Sequence, residues 1–250
     1  MSAVAAERIK LMSTRSPWWT SAVAVVIVIG LTAVVVATWS PADGSVPFAV
    51  SGYFATFGMV VVMVMATVSV TSEYRFGTIR TTFQAVPNRT AALLAKAAVV
   101  VPVAGVVGLL AGFGSWGVAW LISPTSMSLS TGAEWRVVAG IALVWAVGAV
   151  IALAVGVLVR QTAGAVTLLL VWVLLVENLI GLIPRVGADI QSWLPFVNAT
   201  NFLTGGGGDA GAVPSMSTMH FGPWGSLAWF AGVAVVLMAI ALAVANRRDA

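Results

Sequence analysis

The sequence predicts an all-α polytopic membrane protein with six transmembrane helices, and three observations carry that prediction. Of 250 residues, 60% are hydrophobic and only 8% charged, whereas a soluble domain carries about 25% charge to wet its surface. Six apolar runs reach the roughly 20 residues that a membrane-crossing helix needs. Val, Ala, Leu and Gly fill these runs without any period-2 alternation of polar residues, which favours helices over a membrane barrel. A mean hydropathy of +1.04 also excludes a large aqueous domain. With no cysteine, disulfides, zinc–thiolate sites and iron–sulfur clusters are excluded. A net charge of +4 is too small to point to nucleic acid, and no nucleic-acid partner is expected.

Residues 1–17 alternate charge with apolar positions. Ile9 and Met12 lie three apart and share a helix face, while Glu7, Arg8, Lys10 and Arg15 are polar. Such a segment suits a helix lying in the inner membrane interface; the other reading is a loose tail. The spans follow at about residues 19–39, 48–70, 97–122, 137–159, 163–183 and 224–245. The first apolar run is too long for a signal-peptide core, so no cleavable leader is expected. Pro102, Gly105 and Gly108 are positioned to loosen the third span, which membrane helices tolerate. The chain reads as one domain over residues 1–250.

Six spans put both termini on one side. Arg8, Lys10, Arg15, Arg75, Arg80, Arg89, Lys96, Arg160, Arg247 and Arg248 then fall together, and only Arg136 and Arg185 lie opposite: ten of the 12 basic residues against two. The positive-inside rule makes both termini cytoplasmic, with a bacterial-type inner membrane as the expected location. Trp39, Trp116, Trp120, Trp135, Trp224 and Trp229 near the outer helix ends, with Trp18 and Trp19 near the inner end of the first, fit an interfacial aromatic belt.

The cytoplasmic link between spans two and three holds the most information. Within it, Phe76, Ile79 and Phe83 recur at i, i+3 and i+7, the period of one helix face. Arg75 and Arg80 project elsewhere. Pro87 is expected to stop that helix, and Asn88 or Thr90 to cap the next. A short amphipathic helix held between two spans suits docking into a groove on another protein, or it simply orients the two spans.

The outer link, residues 184–223, contains Gln191-Ser192-Trp193-Leu194-Pro195-Phe196, too apolar for an ordinary wet loop. It either dips back into the membrane or lies on the surface anchored by Trp193 and Phe196. Asn198-Ala199-Thr200 fits the glycosylation triplet, a weak signal. Inside span five stands Glu177-Asn178. An intramembrane carboxylate is a functional candidate by default, which makes Glu177 and Asn178 candidates for a substrate pathway or subunit interface. The alternatives for Glu177 are snorkelling to the interface and pairing with Arg185. Thr56, Thr67, Ser69, Ser115 and Thr167 read as backbone-bonded helix residues.

Intramembrane catalysis finds no residues here. A serine hydrolase needs Ser and His within a hydrogen bond, and the single histidine, His220, sits in the outer link. Asp43, Asp189, Asp209 and Asp249 lie outside the spans, which leaves no aspartyl dyad. No metal site and no enzyme activity are expected.

Glu73-Tyr74-Arg75-Phe76-Gly77-Thr78-Ile79-Arg80, followed by Val86-Pro87-Asn88-Arg89 and Lys96, resembles the signature of ABC-2 type transporter permeases. Glu7-Arg8-Ile9-Lys10-Leu11 and Arg15-Ser16-Pro17-Trp18-Trp19 resemble that family's opening, and the likeness covers essentially the whole chain. It implies a coupling helix at about residues 72–84, with Glu73, Arg75, Phe76, Gly77, Thr78, Ile79, Arg80 and Phe83 facing a separate cytoplasmic ATP-binding subunit. It also implies a second six-span permease subunit, identical or different, and an outer segment that re-enters the membrane. The chain has no G-x-x-x-x-G-K-[ST] loop, so ATP and its hydrolysis belong to the partner and no cofactor is expected on this chain. The implied function is outward transport, and the apolar lining of the spans favours an amphipathic or hydrophobic drug, lipid or peptide over a highly charged solute as the substrate. A six-span membrane assembly subunit that docks a non-ATPase partner is the alternative.

Overall fold

The computed structural model describes residues 3–40, 46, 48–86, 88–205 and 219–247, and among these the regular structure is entirely helical. In chain order the elements are α1 (Ala3–Ser13), α2 (Ser16–Thr38), α3 (Val50–Arg75), α4 (Thr78–Ala85), α5 (Arg89–Ile122), α6 (Gly132–Val159) and α7 (Thr162–Val171). A π-helical turn (Trp172–Val176) then leads into α8 (Glu177–Ile180), α9 (Gly187–Gln191), α10 (Pro195–Thr204) and α11 (Pro223–Arg247). Six helices are long and apolar enough to cross a membrane: α2, α3, α5, α6, the continuous unit Thr162–Ile180, and α11.

Helix ends differ from the apolar runs for local reasons. α5 starts at Arg89 rather than near 97, because Asn88 caps it (Ala91 N donates to Asn88 Oδ1 at 3.1 Å) and Thr-Ala-Ala-Leu-Leu-Ala-Lys favours helix. Its 34 residues span about 51 Å at 1.5 Å per residue, well beyond a hydrocarbon core of about 30 Å. The first two turns, through Lys96, therefore lie beyond the apolar run. Pro102 sits inside α5, which continues through it to Ile122. α6 opens on a capping box between Thr131 and Glu134.

α3 and α6 form the centre of the bundle, while α2, the Thr162–Ile180 unit and α11 are peripheral and largely exposed. Small residues let α5 and α6 approach closely. A Cβ at Gly112 would overlap the Val138 carbonyl oxygen on α6, so only glycine permits that crossing. Trp145 is fully buried between α6 and α3, and its Nε1 donates to the Ala55 carbonyl at 3.0 Å. Thr67, Ser69 and Ser115 donate to the carbonyls of Met63, Ala66 and Gly112, the backbone bonding expected of hydroxyls inside membrane helices.

Candidate functional site

The link between spans two and three is built differently from the single helix that periodicity predicts. α3 runs on through Ser72, Glu73, Tyr74 and Arg75, and the break falls at Gly77, whose φ of 72° is left-handed. Glycine adopts that conformation without strain. Residues 72–75 therefore extend span two, and only Thr78–Ala85 form the separate helix α4. The common face expected for Phe76 and Ile79 is split: Phe76 lies in the turn and is 72% exposed, whereas Ile79 is 4% exposed. The side chain of Phe83 and the residue Pro87 lie outside the described residues. Arg75, Phe76, Thr78 and Arg80 are exposed together around the turn, with the Arg75 guanidinium 5.5 Å from the Phe76 ring centroid.

Beneath this turn four charges from three helices interlock. Lys96 of α5 donates to Glu7 Oε2 at 2.5 Å and to Glu73 Oε1 at 2.9 Å. Lys10 of α1 donates to Glu7 Oε1 at 2.8 Å, to Glu73 Oε1 at 3.1 Å and to Thr82 Oγ1 of α4 at 3.3 Å. Glu7, Glu73 and Lys96 are buried and Lys10 is about half exposed. The two carboxylates and two ammonium groups cancel. That balance is needed, because an unpaired buried ion costs several kcal/mol. Burial pushes the Glu7 carboxyl up, but the ammonium groups of Lys96 and Lys10 outweigh it and hold it below its ordinary value. Burial likewise works against the Lys10 charge, and hydrogen bonds to Glu7 and Glu73 overcome it, holding the amine above its ordinary value. Glu73 Oε2 is buried and has no hydrogen-bond partner.

Sequence reasoning singled out Glu73 but did not join it to Glu7, Lys10 and Lys96. They are separated by 63 to 89 positions, except for the pairs Glu7–Lys10 and Glu73–Lys96, and no periodicity links them. A usable signal was present: Glu7 and Glu73 are the only acidic residues before position 100 on the side that carries ten basic ones. The cluster fixes α1 against α3 and α5, and through Thr82 it reaches α4. It forms a rigid joint under an exposed basic–aromatic surface. On α1, Ile9 and Met12 are exposed. At the far edge, Arg89 Nη1 donates to the Ala245 carbonyl at 3.0 Å and Asn246 to Thr90 Oγ1 at 2.9 Å, tying α5 to the end of α11.

At the opposite end, span five is interrupted by its π turn. The i→i+5 spacing of such a turn brings Trp172 and Glu177 together, and the Glu177 N–H donates to the Trp172 carbonyl. Glu177 is only 2% exposed. Its carboxylate accepts from Trp172 Nε1 at 2.9 Å, Val197 N at 2.9 Å and Phe196 N at 3.3 Å. The last two are orphan N–H groups at the start of α10, where a negative charge is stabilised by the helix dipole. Thus Glu177 neither snorkels nor pairs with Arg185, which is exposed; it holds α10. Asn178 is exposed and donates to the Leu174 carbonyl at 3.1 Å.

α10 is wedged among α3, α6 and α11, with Phe202 and Leu203 against Gly140 and Gly52. Asn201 donates to Ser226 Oγ at 2.7 Å. Asn198 is fully buried and donates to the Ser192 and Leu194 carbonyls, so the glycosylation triplet is inaccessible in this fold. The structure also forms a Ser–His pair that the sequence did not suggest: Ser192 Oγ lies 2.8 Å from His220 Nδ1. The hydroxyl also lies 2.6 Å from the Asp189 carbonyl.

No protein-family model matches this chain, and no curated protein matches it.

Proposed function

We propose that this chain is the permease subunit of an ATP-binding cassette exporter of the ABC-2 kind. It sits in a bacterial-type inner membrane with both termini cytoplasmic, α1 lies at the inner interface, and a separate ATPase drives it. The observation that carries this reading is the exposed Arg75–Phe76–Thr78–Arg80 surface mounted on the four-charge joint. A partner that grips Phe76 and the two guanidinium groups pushes on a turn that cannot yield alone. Lys10 and Lys96 pass the displacement to α1, α3 and α5 as one body. Tightly packed, discrete contacts are what let a local push become a movement of whole helices.

The exporter pairs two six-span subunits. The exposed apolar residues Leu168, Val171, Leu175 and Leu179 along span five support a second subunit there. Asn178, exposed on the same span, faces the pathway of an amphipathic or hydrophobic substrate. Glu177 serves the outer end indirectly by holding α10, which caps the pathway as a re-entrant helix. This chain carries no nucleotide-binding loop, so ATP stays on the partner.

The test is to purify the chain from its native membrane, identify the cytoplasmic partner, and reconstitute both in inverted vesicles. ATP-driven accumulation of an amphipathic dye, lost on Phe76→Ala, is the expected result. A partner that hydrolyses no nucleotide would overturn the exporter reading in favour of an assembly subunit.

A further inference from the structure

Between α1, the start of α2, the last third of α3 and α5 lies a cavity of about 460 Å³, toward the small end of the roughly 300–1,000 Å³ range of ligand pockets. Its lining is graded along α3. Val64, Met65 and Val68 make an apolar wall, continued by Val100 of α5. From Val64 to Ser72, both of which line it, eight helical rises make that wall about 12 Å long. At the Ser72 end the lining turns polar, and Thr78 of α4 and Ser16 of α2 add further hydroxyls. None of these three hydroxyls makes a hydrogen bond among the described residues. Ser16 and Thr78 are exposed, and Ser72, half-buried, keeps its Oγ accessible. Each is therefore free both to donate and to accept. The charges at the same end are already matched, because Lys10 and Lys96 donate to Glu7 and Glu73. A charged head placed there would leave one charge uncompensated beside a buried cluster, at high cost.

We propose that this cavity binds a neutral, single-chain amphiphile whose head carries hydroxyl groups, of the monoglyceride kind. The chain lies along Val64, Met65 and Val68, where removing its methylenes from water drives binding. The head exchanges hydrogen bonds with the hydroxyls of Ser72, Thr78 and Ser16. Tail and head then follow the grading of the wall, apolar deep in the span and polar where the span ends, which is also the order of one lipid leaflet. The apolar body offers water no partners, so it suits hydrocarbon rather than ordered solvent. The volume holds one chain with a small head and not a two-chain lipid. The site stands whether or not the chain transports anything.

The full chain in phosphatidylcholine nanodiscs is photolabelled with dodecylglycerol ether carrying a diazirine in its chain, and adducts are mapped by peptide mass spectrometry. Adducts are expected on the cavity segments around Met65, Val68 and Val100. Unlabelled dodecylglycerol ether is expected to compete roughly fivefold better than its dimethylated form, which has no O–H, the ratio of about one net hydrogen bond. It is also expected to compete better than dodecanoate or dodecylamine, whose heads bring a charge. Ser72→Ala, which removes a hydroxyl bonded to none of the four charges, is expected to shrink the advantage over the dimethylated form. Val68→Trp, more than a turn from the charges, fills the cavity and is expected to abolish the adducts. Adducts spread evenly over outward residues such as Val26 and Val235, equal competition by the dimethylated form, stronger competition by either charged amphiphile, an unchanged ratio in Ser72→Ala, or full labelling of Val68→Trp would each overturn the site. Should Val68→Trp fail to fold, the competition ratios and Ser72→Ala still decide.

Discussion

Replacing Lys96 with Met tests the four-charge joint most directly. The substitution keeps most of the stem volume but removes the ammonium that bridges Glu7 Oε2 and Glu73 Oε1. Glu7 then keeps Lys10 alone, and the buried cluster carries one uncompensated negative charge. Breaking a buried ion pair on one side costs about 3 to 5 kcal/mol; because Lys10 is half exposed and water reaches it, the lower end, about 3 kcal/mol, applies. The pH dependence gives the argument its sign. In the intact protein Glu7 is held below its ordinary value of 4.5, so it contributes stability that is present above about pH 4.5 and lost as pH falls through the folded value. Without Lys96, burial is opposed by Lys10 alone and the carboxyl is held down less, so less of that stability remains at neutral pH. The melting temperatures of the two proteins in the same detergent are therefore expected to differ most near pH 7 and to converge as pH falls toward 4. A second substitution, Glu7→Gln on the Lys96→Met background, is expected to recover part of the loss. A gap that stays constant with pH, or no rescue by Glu7→Gln, would refute the account of Lys96 as the counter-ion of Glu7.

Glu177→Leu leaves Trp172 Nε1 and the N–H groups of Phe196 and Val197 without their acceptor. Only the Phe196 bond among these is fully buried, so at about 1 to 3 kcal/mol for a buried unsatisfied group thermal melting should show a loss of about 1 to 3 kcal/mol, with Glu177→Gln intermediate; equal melting of all three proteins would remove Glu177 as the anchor of α10. Phe76→Ala is expected to change folding stability by no more than about 0.5 kcal/mol yet, on the proposed function, weaken binding of the proposed cytoplasmic partner by about 2 kcal/mol, whereas Ile79→Ala costs about 2 kcal/mol of stability; calorimetric melting and titration with that partner once identified separate the two effects. Single cysteines placed at Ser128 and His220 of this cysteine-free chain should react with an impermeant thiol reagent on intact cells, and one at Thr81 only after lysis; labelling at Thr81 in intact cells would invert the topology.

The six helices, their order and the asymmetry of basic residues were legible because each rests on composition within a short window. Twenty apolar residues in a row have one stable solution in a bilayer, whatever lies beside them. The cap at Asn88 was legible for the same reason, being settled within a few residues of chain. The sequence misled at Phe76 and Ile79: three positions apart, they match one helix face, yet a left-handed Gly77 between them ends α3 and restarts the phase in α4. The sequence also marked Glu177 as anomalous without showing its partners, two backbone groups of α10 19 and 20 residues onward. Only the packing of α1 against α3 and α5 brings Glu7, Lys10, Glu73 and Lys96 to within hydrogen-bond distance. Hydropathy measures the free energy of one segment in lipid and is local. The pairing of charges depends on which helices touch and at what rotation, and that is decided by the whole bundle at once.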